Sequence, residues 1–202
     1  MNIEFFENDH TYRLNGNPVD SVTTILKEEG YIDDTWFRPE ATERGTHIHQ
    51  ATELIDAGTL DLTDFEGEEI FPYLTAWVQF KKESGYKVLE SELFVGSPLM
   101  GYAGTTDRLM ETPAEERMIV DLKSGAHELW HGLQLVAYRM AFIETFGYDV
   151  KGVRVVHLKK TGKYSICDED KDVGKYDSTI WDSHWKTIMS ARNLRKRYGK
   201  TA

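Results

Sequence analysis

The hydrophobic pattern at the start of the chain alternates around a turn dipeptide. The segment HTYRLNGNPVDSVT (residues 10–23) has apolar positions on both sides of Asn15-Gly16. An Asn-Gly pair between alternating segments predicts a β-hairpin, and Ser21 is placed to cap a short helix that follows. The chain is therefore expected to open with a hairpin and a helix.

Two longer helices are expected next. Pro39, a residue suited to a first helical turn, precedes a segment that predicts a helix as far as Gly58. In EEIFPYLTAWVQFKKESG (residues 68–85) the apolar positions recur with helical spacing. This spacing predicts an amphipathic helix with one buried face.

From residue 86 onward the period changes to that of a strand. Five strands and one helix are predicted, in this order: KVLESELFV, YAGTTDRLME and RMIVDLK (the last two a hairpin around TPAEE), the helix HGLQLVAYRMAFIETFG, then GVRVVHL and YSICD. Helices followed by a β-β-β-α-β order are typical of a mixed α/β (α+β) domain.

A last amphipathic helix is predicted over residues 176–200. One face is expected to carry its apolar side chains, namely Ile180, Trp181, Trp185 and Ile188. No acidic residue occurs from Ser183 to the end, so the last turns are basic. Two interpretations are open: the cations complement the dipole of their own helix, or they contact the phosphates of a nucleic acid.

Composition narrows the classes of protein that remain. The 202 residues indicate one domain, and the net charge of -10 argues against binding nucleic acid by bulk electrostatics. Cys167 is a lone cysteine, which excludes an internal disulfide and an iron–sulfur cluster. No apolar run approaches a membrane span of about 20 residues, and the N-terminus lacks the pattern of a signal peptide. A cytoplasmic protein is expected.

The segment MIVDLKSG (residues 118–125) carries the first candidate chemistry. On a strand, Asp121 and Lys123 point to one face and Leu122 to the other. Such an acid–base pair is either a surface salt bridge or part of a catalytic centre. Pairing around TPAEE would bring Asp107 next to Asp121, and two adjacent carboxylates repel unless a cation lies between them. Mg²⁺ or Mn²⁺ would relieve this repulsion, and Lys123 beside the ion would suit phosphodiester hydrolysis.

The order GTTD, VDLKSG, QLVAY resembles the core of the PD-(D/E)XK nuclease superfamily, specifically small phage-type members of its RecB-like exonuclease branch. The residues that match the motifs are Gly104, Asp107, Asp121, Lys123, Gln134 and Tyr138. Gln134 and Tyr138 are four residues apart, so they share one helix face. Taken alone, they would indicate a polar patch on a packed helix.

Two further segments extend the resemblance. RGTHIH (residues 44–49) places His49 at the metal-binding histidine of that branch, with Glu53 one turn later as a possible orienting partner. Glu92 matches an acid that members often carry on the strand before GxxD. Glu53 and Glu92 are candidates for a supporting role around the metal, or are simply solvated.

The resemblance implies a single nuclease domain over residues 1–202, with a restriction-endonuclease-like core in which helices flank a central mixed β-sheet. Residues 1–85 would form the N-terminal hairpin and helices, and residues 86–165 the catalytic core. One or two Mg²⁺ or Mn²⁺ ions would be held by His49, Asp107, Asp121 and the carbonyl of Leu122. Lys123 would assist the attacking water.

The implied function is DNA exonuclease activity in phage recombination, repair or degradation, in the host cytoplasm. In this interpretation Gln134 and Tyr138 position the DNA end or the lysine. The substrate is DNA, with a helicase or single-strand-annealing protein as a possible partner and no membrane. Two alternatives stay open: a non-catalytic nucleic-acid-binding or recombination accessory module, and an endonuclease of the same superfamily.

Overall fold

Eight strands of the computed structural model, which describes residues 1–7, 10–33, 35, 38–167 and 178–199, form one mixed sheet. The strands are β1 (Ile3–Phe6), β2 (Thr11–Leu14), β3 (Asn17–Ser21), β4 (Lys87–Ser97), β5 (Tyr102–Glu111), β6 (Arg117–Lys123), β7 (Gly152–Leu158) and β8 (Tyr164–Cys167). The order along the sheet is β1-β2-β3-β5-β6-β7-β8, and β4 pairs with β5. The β3–β5 and β6–β7 pairs are parallel, and the other pairs are antiparallel.

Helices cover both faces of this sheet. They are α1 (Val22–Glu28), α2 (Pro39–Asp56), α3 (Phe71–Ser84), α4 (Trp130–Phe146) and α5 (Ser178–Tyr198), with a short 3-10 helix at Leu62–Phe65. Helices α1, α4 and α5 share one hydrophobic core with the sheet, while α2 and α3 share the other. The predicted mixed α/β class, a central mixed sheet flanked by helices, is confirmed. No helix in the described ranges combines the length and apolar character that a membrane crossing requires.

The N-terminal hairpin forms at the predicted turn. Asn15 and Gly16 both have positive φ angles, 50° and 82°, as a tight two-residue hairpin turn requires. The Oγ atom of Ser21 accepts a hydrogen bond from the backbone N–H of Thr24 at 3.0 Å and so caps α1. Both local predictions are confirmed.

Strand β6 alternates between the two cores. Ile119 packs on the α4 side, while Val120 and Leu122 pack on the side of α2 and α3. Asp121 and Lys123 therefore lie on the α4 side, one step further along the strand. Alternation in the sequence predicted this division.

A gap in the sheet lies beside β5. One edge of β5 pairs with β3 at residues 102–103 and with β6 at residues 108–111. Among the described residues no strand pairs with positions 104–107 on that edge. Side chains, rather than another strand, must satisfy the backbone groups that face this gap.

Helix α5 corrects one expectation and adds another finding. Trp185 and Ile188 are buried as predicted, but Ile180 is 64% exposed. Adjacent helical positions differ by about 100°, which turns Ile180 away from the face of Trp181 and Trp185. Positions 176, 177 and 200 of the predicted helix lie outside the described residues.

The basic end of α5 packs against acids from β3 and α1. The Nη2 atom of Arg192 lies 2.7 Å from Oδ2 of Asp20, and Arg192 also pairs with Glu28 and Glu29. Arg195 pairs with Glu29, and Lys196 pairs with Asp20. These contacts hold the helix against β3 and the end of α1, a role that neither interpretation of the basic segment anticipated.

Candidate functional site

Two aspartates meet at the gap beside β5. The last antiparallel pair of β5 and β6 on this side joins Arg108 to Val120, so one further step brings Asp107 opposite Asp121. Oδ2 of Asp107 accepts a hydrogen bond from the backbone N–H of Leu122 at 2.7 Å. Asp107 is 9% exposed and Asp121 only 2%. The predicted proximity of the two carboxylates is confirmed, and both are buried.

A histidine and a third acid join Asp107. Nδ1 of His49, on α2, lies 3.5 Å from Oδ1 of Asp107. The pairs Ser91–Arg108 and Leu93–Thr106 flank position 92, so Glu92 lies opposite Asp107 on β4. Ligand atoms of His49, Glu92 and Asp107 all lie within 4.8 Å of one another. Three segments that are distant in sequence thus converge on one point.

Glu92 has an unusual backbone conformation for a strand residue. Its φ angle is 49°, in the left-handed region, and the register of β4 shifts between Val88 and Glu90. A non-glycine residue in that region costs on the order of 1 kcal/mol or more and is typical of functional sites. Glu92 itself lies where the register is regular, opposite Asp107, and joins the cluster there with His49.

The buried carboxylates do not share one ionisation state. Burial raises the pKa of Asp107, but His49, Lys123 and the Leu122 amide outweigh it and hold that pKa well below its usual range. Burial, with Asp107 adding to it and Lys123 opposing it, raises the pKa of Asp121 to about 6. Burial and then Asp107 raise the pKa of Glu92 to about 7. This excess of acidic groups favours a bound cation.

Burial also acts on the histidine. It lowers the pKa of His49, but the Asp107 carboxylate opposes this with a larger combined effect, so the net shift is upward. A divalent cation beside Asp107 would instead favour the unprotonated form of His49, because only the neutral imidazole can bind a metal.

Lys123 completes the pair that the sequence singled out. Its Nζ lies 2.6 Å from Oδ2 of Asp121 and 5.5 Å from the centroid of the Trp130 ring. The contact with Asp121 is at ion-pair distance, yet within the described residues this buried oxygen accepts no hydrogen bond with proper geometry. The salt bridge exists, but it is not on the surface, and it leaves an acceptor unsatisfied.

The donor set fits a hard divalent cation. Carboxylate oxygens and one imidazole nitrogen are ligands that Mg²⁺ and Mn²⁺ accept. Asp121 adjoins this set, and among the described residues its Oδ2 makes an ion-pair contact with Lys123 but no hydrogen bond of regular geometry. A cation would compensate both the repulsion and the unmade bond.

Gln134 and Tyr138 lie behind the aspartates. Nε2 of Gln134 donates to the Tyr138 hydroxyl at 3.1 Å, and the two residues are 7% and 6% exposed. A Cβ at Gly104 would lie 2.5 Å from Cε1 of Tyr138, so the glycine is needed for the ring to reach this position. Burial, then Asp121 and Asp107, raise the pKa of Tyr138, which keeps the phenol neutral.

Glu53 is close to the cluster without contacting the histidine. Among the described residues, no hydrogen bond joins Glu53 to His49. The imidazole of His49 instead faces Asp107. The charge of Glu53 raises the pKa of Glu92, so the two acids are neighbours. A role for Glu53 in orienting His49 stays a prediction.

A family model of the PD-(D/E)XK nuclease superfamily matches residues 32–188, a span that contains every residue of this cluster. The chain belongs to this superfamily. No curated protein matches the sequence.

Two solved structures resemble this member of the nuclease superfamily. A candidate exonuclease from Eubacterium rectale is 13% identical, with a TM-score of 0.48, over 92% of this chain and 77% of that one. The protein SSO0001 is 9% identical, with a TM-score of 0.33, over 84% and 83% of the two chains.

A buried arginine that the sequence analysis missed connects the elements that carry this cluster. Arg108 is fully buried, and its Nη1 donates to the backbone carbonyl of Asp107 at 2.7 Å. Its Nη2 donates to Oγ1 of Thr52 at 3.1 Å, and Thr52 in turn donates to the carbonyl of His49 at 2.8 Å. One guanidinium thus links the backbones of His49 and Asp107.

Asp56 holds that arginine in place. Its Oδ2 accepts from Nε of Arg108 at 2.7 Å, and its Oδ1 accepts from Nε1 of Trp77 at 2.9 Å and from Nζ of Lys81 at 2.5 Å. A signal for this network was present in the sequence, because Thr52 and Asp56 follow His49 at helical spacing on the same face. The partner, an arginine inside a strand, gives no such signal.

Proposed function

We propose that this chain is a metal-dependent deoxyribonuclease that degrades DNA from its ends. The observation that carries the proposal is the convergence of His49, Glu92 and Asp107 beside the buried Asp121–Lys123 pair. Membership of a nuclease superfamily supports the reaction class. A place in phage recombination, repair or DNA degradation is part of the same proposal.

His49, Glu92 and Asp107 would hold the cation, with Asp121 and the carbonyl of Leu122 beside them. Bound there, Mg²⁺ or Mn²⁺ would supply a Lewis acid for the phosphoryl oxygen and lower the pKa of a bound water. Glu92 thereby moves from a supporting role to the ligand set, because its carboxylate lies with the imidazole of His49 and the carboxylate of Asp107.

The chain's own groups would do the rest. Lys123, held by Asp121 at 2.6 Å, keeps a positive charge at the strand end, where it would stabilise the charge that develops on the phosphate. Trp130 covers the lysine on one side. Gln134 and Tyr138 close the floor of the site, exclude water and position the lysine or the DNA end.

The alternative of a binding module lacks a reason for so many buried charges. Each buried, unpaired charge costs stability, and a protein that only binds DNA gains nothing from the cluster at Asp107 and Asp121. An endonuclease with the same centre is the second candidate. A helicase or single-strand-annealing partner would deliver DNA to an end-degrading enzyme, as part of the proposal.

Cleavage of end-labelled DNA tests the assignment. We expect linear DNA to be degraded with Mg²⁺ or Mn²⁺, closed-circular DNA to resist, and EDTA to stop the reaction. Lys123→Ala and Asp121→Asn should each lose activity by on the order of 10³-fold or more. Lys151→Ala is the matched control, since Lys151 forms an exposed pair with Glu116.

Each other outcome points elsewhere. Cutting of closed circles would identify an endonuclease, and DNA binding without any cleavage would identify a binding module. Undiminished cleavage by both site variants would remove Asp121 and Lys123 from the mechanism. Comparing 5′- and 3′-labelled DNA then gives the polarity.

A further inference from the structure

Three histidines cluster on the far side of Lys123 from the carboxylates. His127 lies just before α4, His131 lies in its first turn, and His157 lies on β7, paired with Lys123. The ring centroids are 5.5 Å apart for His127 and His157, 5.6 Å for His131 and His157, and 6.0 Å for His127 and His131. The proposed nuclease mechanism uses none of them.

These separations match those of imidazoles that share a metal. With Zn–N bonds of about 2 Å and tetrahedral angles, the ring centres of two ligating histidines lie about 5 Å apart. All three pairs here are within about 1 Å of that value. The start of α4 and strand β7 thus bring three imidazole rings to centroid distances close to those of rings that share a metal ion.

One of the rings, that of His157, has a buried nitrogen lone pair without a hydrogen-bond partner among the described residues. Nε2 of His157 is buried and has no hydrogen-bond partner in the described residues, and the ring bonds the backbone carbonyl of Gly125, which leaves the proton on Nδ1. A ligating histidine commonly donates its other ring N–H to a backbone carbonyl in this way. Nδ1 of His131 accepts a hydrogen bond of 3.3 Å from the Glu128 amide, so this nitrogen is unprotonated and would exchange that bond for a metal ion.

The charge state agrees with ligation. Burial, followed by Lys123, lowers the pKa of His131 to about 2, and burial, followed by His127, lowers that of His157 to about 4. Both rings are neutral near pH 7, as a metal ligand must be. The neighbouring Lys123 ammonium is itself held by Asp121, which reduces its repulsion of a cation.

We propose that His127, His131 and His157 bind a transition-metal ion of the Zn²⁺ class, at a site separate from the carboxylate cluster. Imidazoles without a carboxylate favour such an ion over Mg²⁺. The ligand nitrogens do not converge on one point, so binding requires the rings to rotate. The ion would fasten the start of α4, and with it Gln134 and Tyr138, to β7.

Zinc titration by calorimetry in excess Mg²⁺ tests this site independently of nuclease activity. We expect one Zn²⁺ to bind per chain. His157→Gln or His131→Gln should weaken the zinc affinity by on the order of 100-fold, since one of three protein ligands is lost. His49→Gln, which removes a donor of the other cluster, and His184→Gln, on α5, should leave the affinity within about twofold. Co²⁺ in place of zinc should give the absorption of a four-coordinate ion.

His127→Ala covers the case in which a buried variant fails to fold, because His127 is exposed and lies outside the helices and strands. Its zinc affinity should fall by about tenfold or more. An unchanged zinc affinity in His127→Ala, or a large loss of zinc affinity in His49→Gln, would overturn the proposal. The proposal would also be overturned if the histidine variants bound DNA more weakly but kept their zinc affinity. The histidines would then be contacts to a DNA strand.

Discussion

Two buried acid–base pairs, one that joins Asp56 of α2 to Arg108 of β5 and one between Asp121 and Lys123 of β6, differ in how completely their hydrogen bonds are made. Asp56 receives three donors, from Arg108, Trp77 and Lys81, and both of its oxygens are occupied. Asp121 has one ionic neighbour, Lys123, and one oxygen without a hydrogen bond in the described residues. The side chains of Asp56 and Asp121 are equally buried, each 3% exposed, so burial alone does not distinguish them.

The difference separates support from chemistry. A complete network holds its charges in one arrangement and adds rigidity, as Arg108 does for the backbones of His49 and Asp107. An incomplete one retains free energy that a cation or a substrate can release. The same type of contact would therefore have two uses in the proposed site, support at Asp56 and chemistry at Asp121.

Removing the complete pair should have the largest effect on stability. Asp56→Asn leaves the guanidinium of Arg108, which cannot lose its proton, buried without a full counter-charge. We expect the free energy of unfolding to fall by about 3–5 kcal/mol in urea denaturation. A loss below about 1 kcal/mol would mean that Asp56 is not what holds the arginine.

Removing the charge of Asp121 should change the stability in the opposite direction at neutral pH. The pKa of Asp121 is raised to about 6 in the folded chain, so its protonated form stabilises the fold below about pH 4 and this contribution is lost as pH rises through 6. Asp121→Asn stays neutral throughout. Between pH 4 and 7, without divalent ions, its stability relative to wild type should rise by on the order of 2–3 kcal/mol.

Asp107→Asn is the matched control for that pH series. The pKa of Asp107 is lowered in the fold, so its stabilising contribution is present above its ordinary pKa and is lost as pH falls through the lowered value. This variant should therefore lose stability at neutral pH relative to wild type. Parallel curves for the two variants would show that the aspartates are not in different states.

The sequence was informative wherever short-range pattern decides the structure. The Asn15-Gly16 turn, the Ser21 cap and the alternation of β6 follow from backbone preference and period, and the motif order placed His49, Asp107 and Asp121 in one region. What it missed depends on tertiary context. Arg108 is a strand residue whose partner Asp56 is about fifty positions away, and nothing local predicts that pairing.

Glu92 was a candidate from the sequence, but its backbone conformation, like the position of His157, could not be predicted from it. The positive φ of Glu92 arises within an irregular strand, while its sequence reads as ordinary alternation. His157 ends an apolar strand, and its approach to His127 and His131 depends on the crossover of α4 between β6 and β7. Spacing along the chain predicts neighbours on one element, and it says little about which elements meet.

The glycine behind the incomplete pair should show an intermediate effect. Gly104→Ala would place a Cβ 2.5 Å from the Tyr138 ring and push that ring toward the aspartates. We expect a loss of about 1–3 kcal/mol in thermal or urea unfolding, and a smaller loss in a Tyr138→Leu background, where the ring is absent. Gly45→Ala is the control, because its Cβ would meet only Ser124 Oγ at an ordinary 3.8 Å. If Gly104→Ala costs the same stability in both backgrounds, the Tyr138 ring is not the reason that position 104 requires glycine.

The exposed ion pairs of α5 should matter least for stability. The side chain of Arg195 is 44% exposed where it contacts Glu29, and Lys196 is 57% exposed where it contacts Asp20. Solvent screens such pairs, so Arg195→Gln and Lys196→Gln should each cost less than about 1 kcal/mol, and added salt should reduce the difference. DNA affinity separates the two roles of this helix. If the cations only fasten α5 to Asp20 and Glu29, both variants bind DNA like wild type. Weaker binding with a shallower salt dependence would instead support the predicted contact with the phosphates of a nucleic acid.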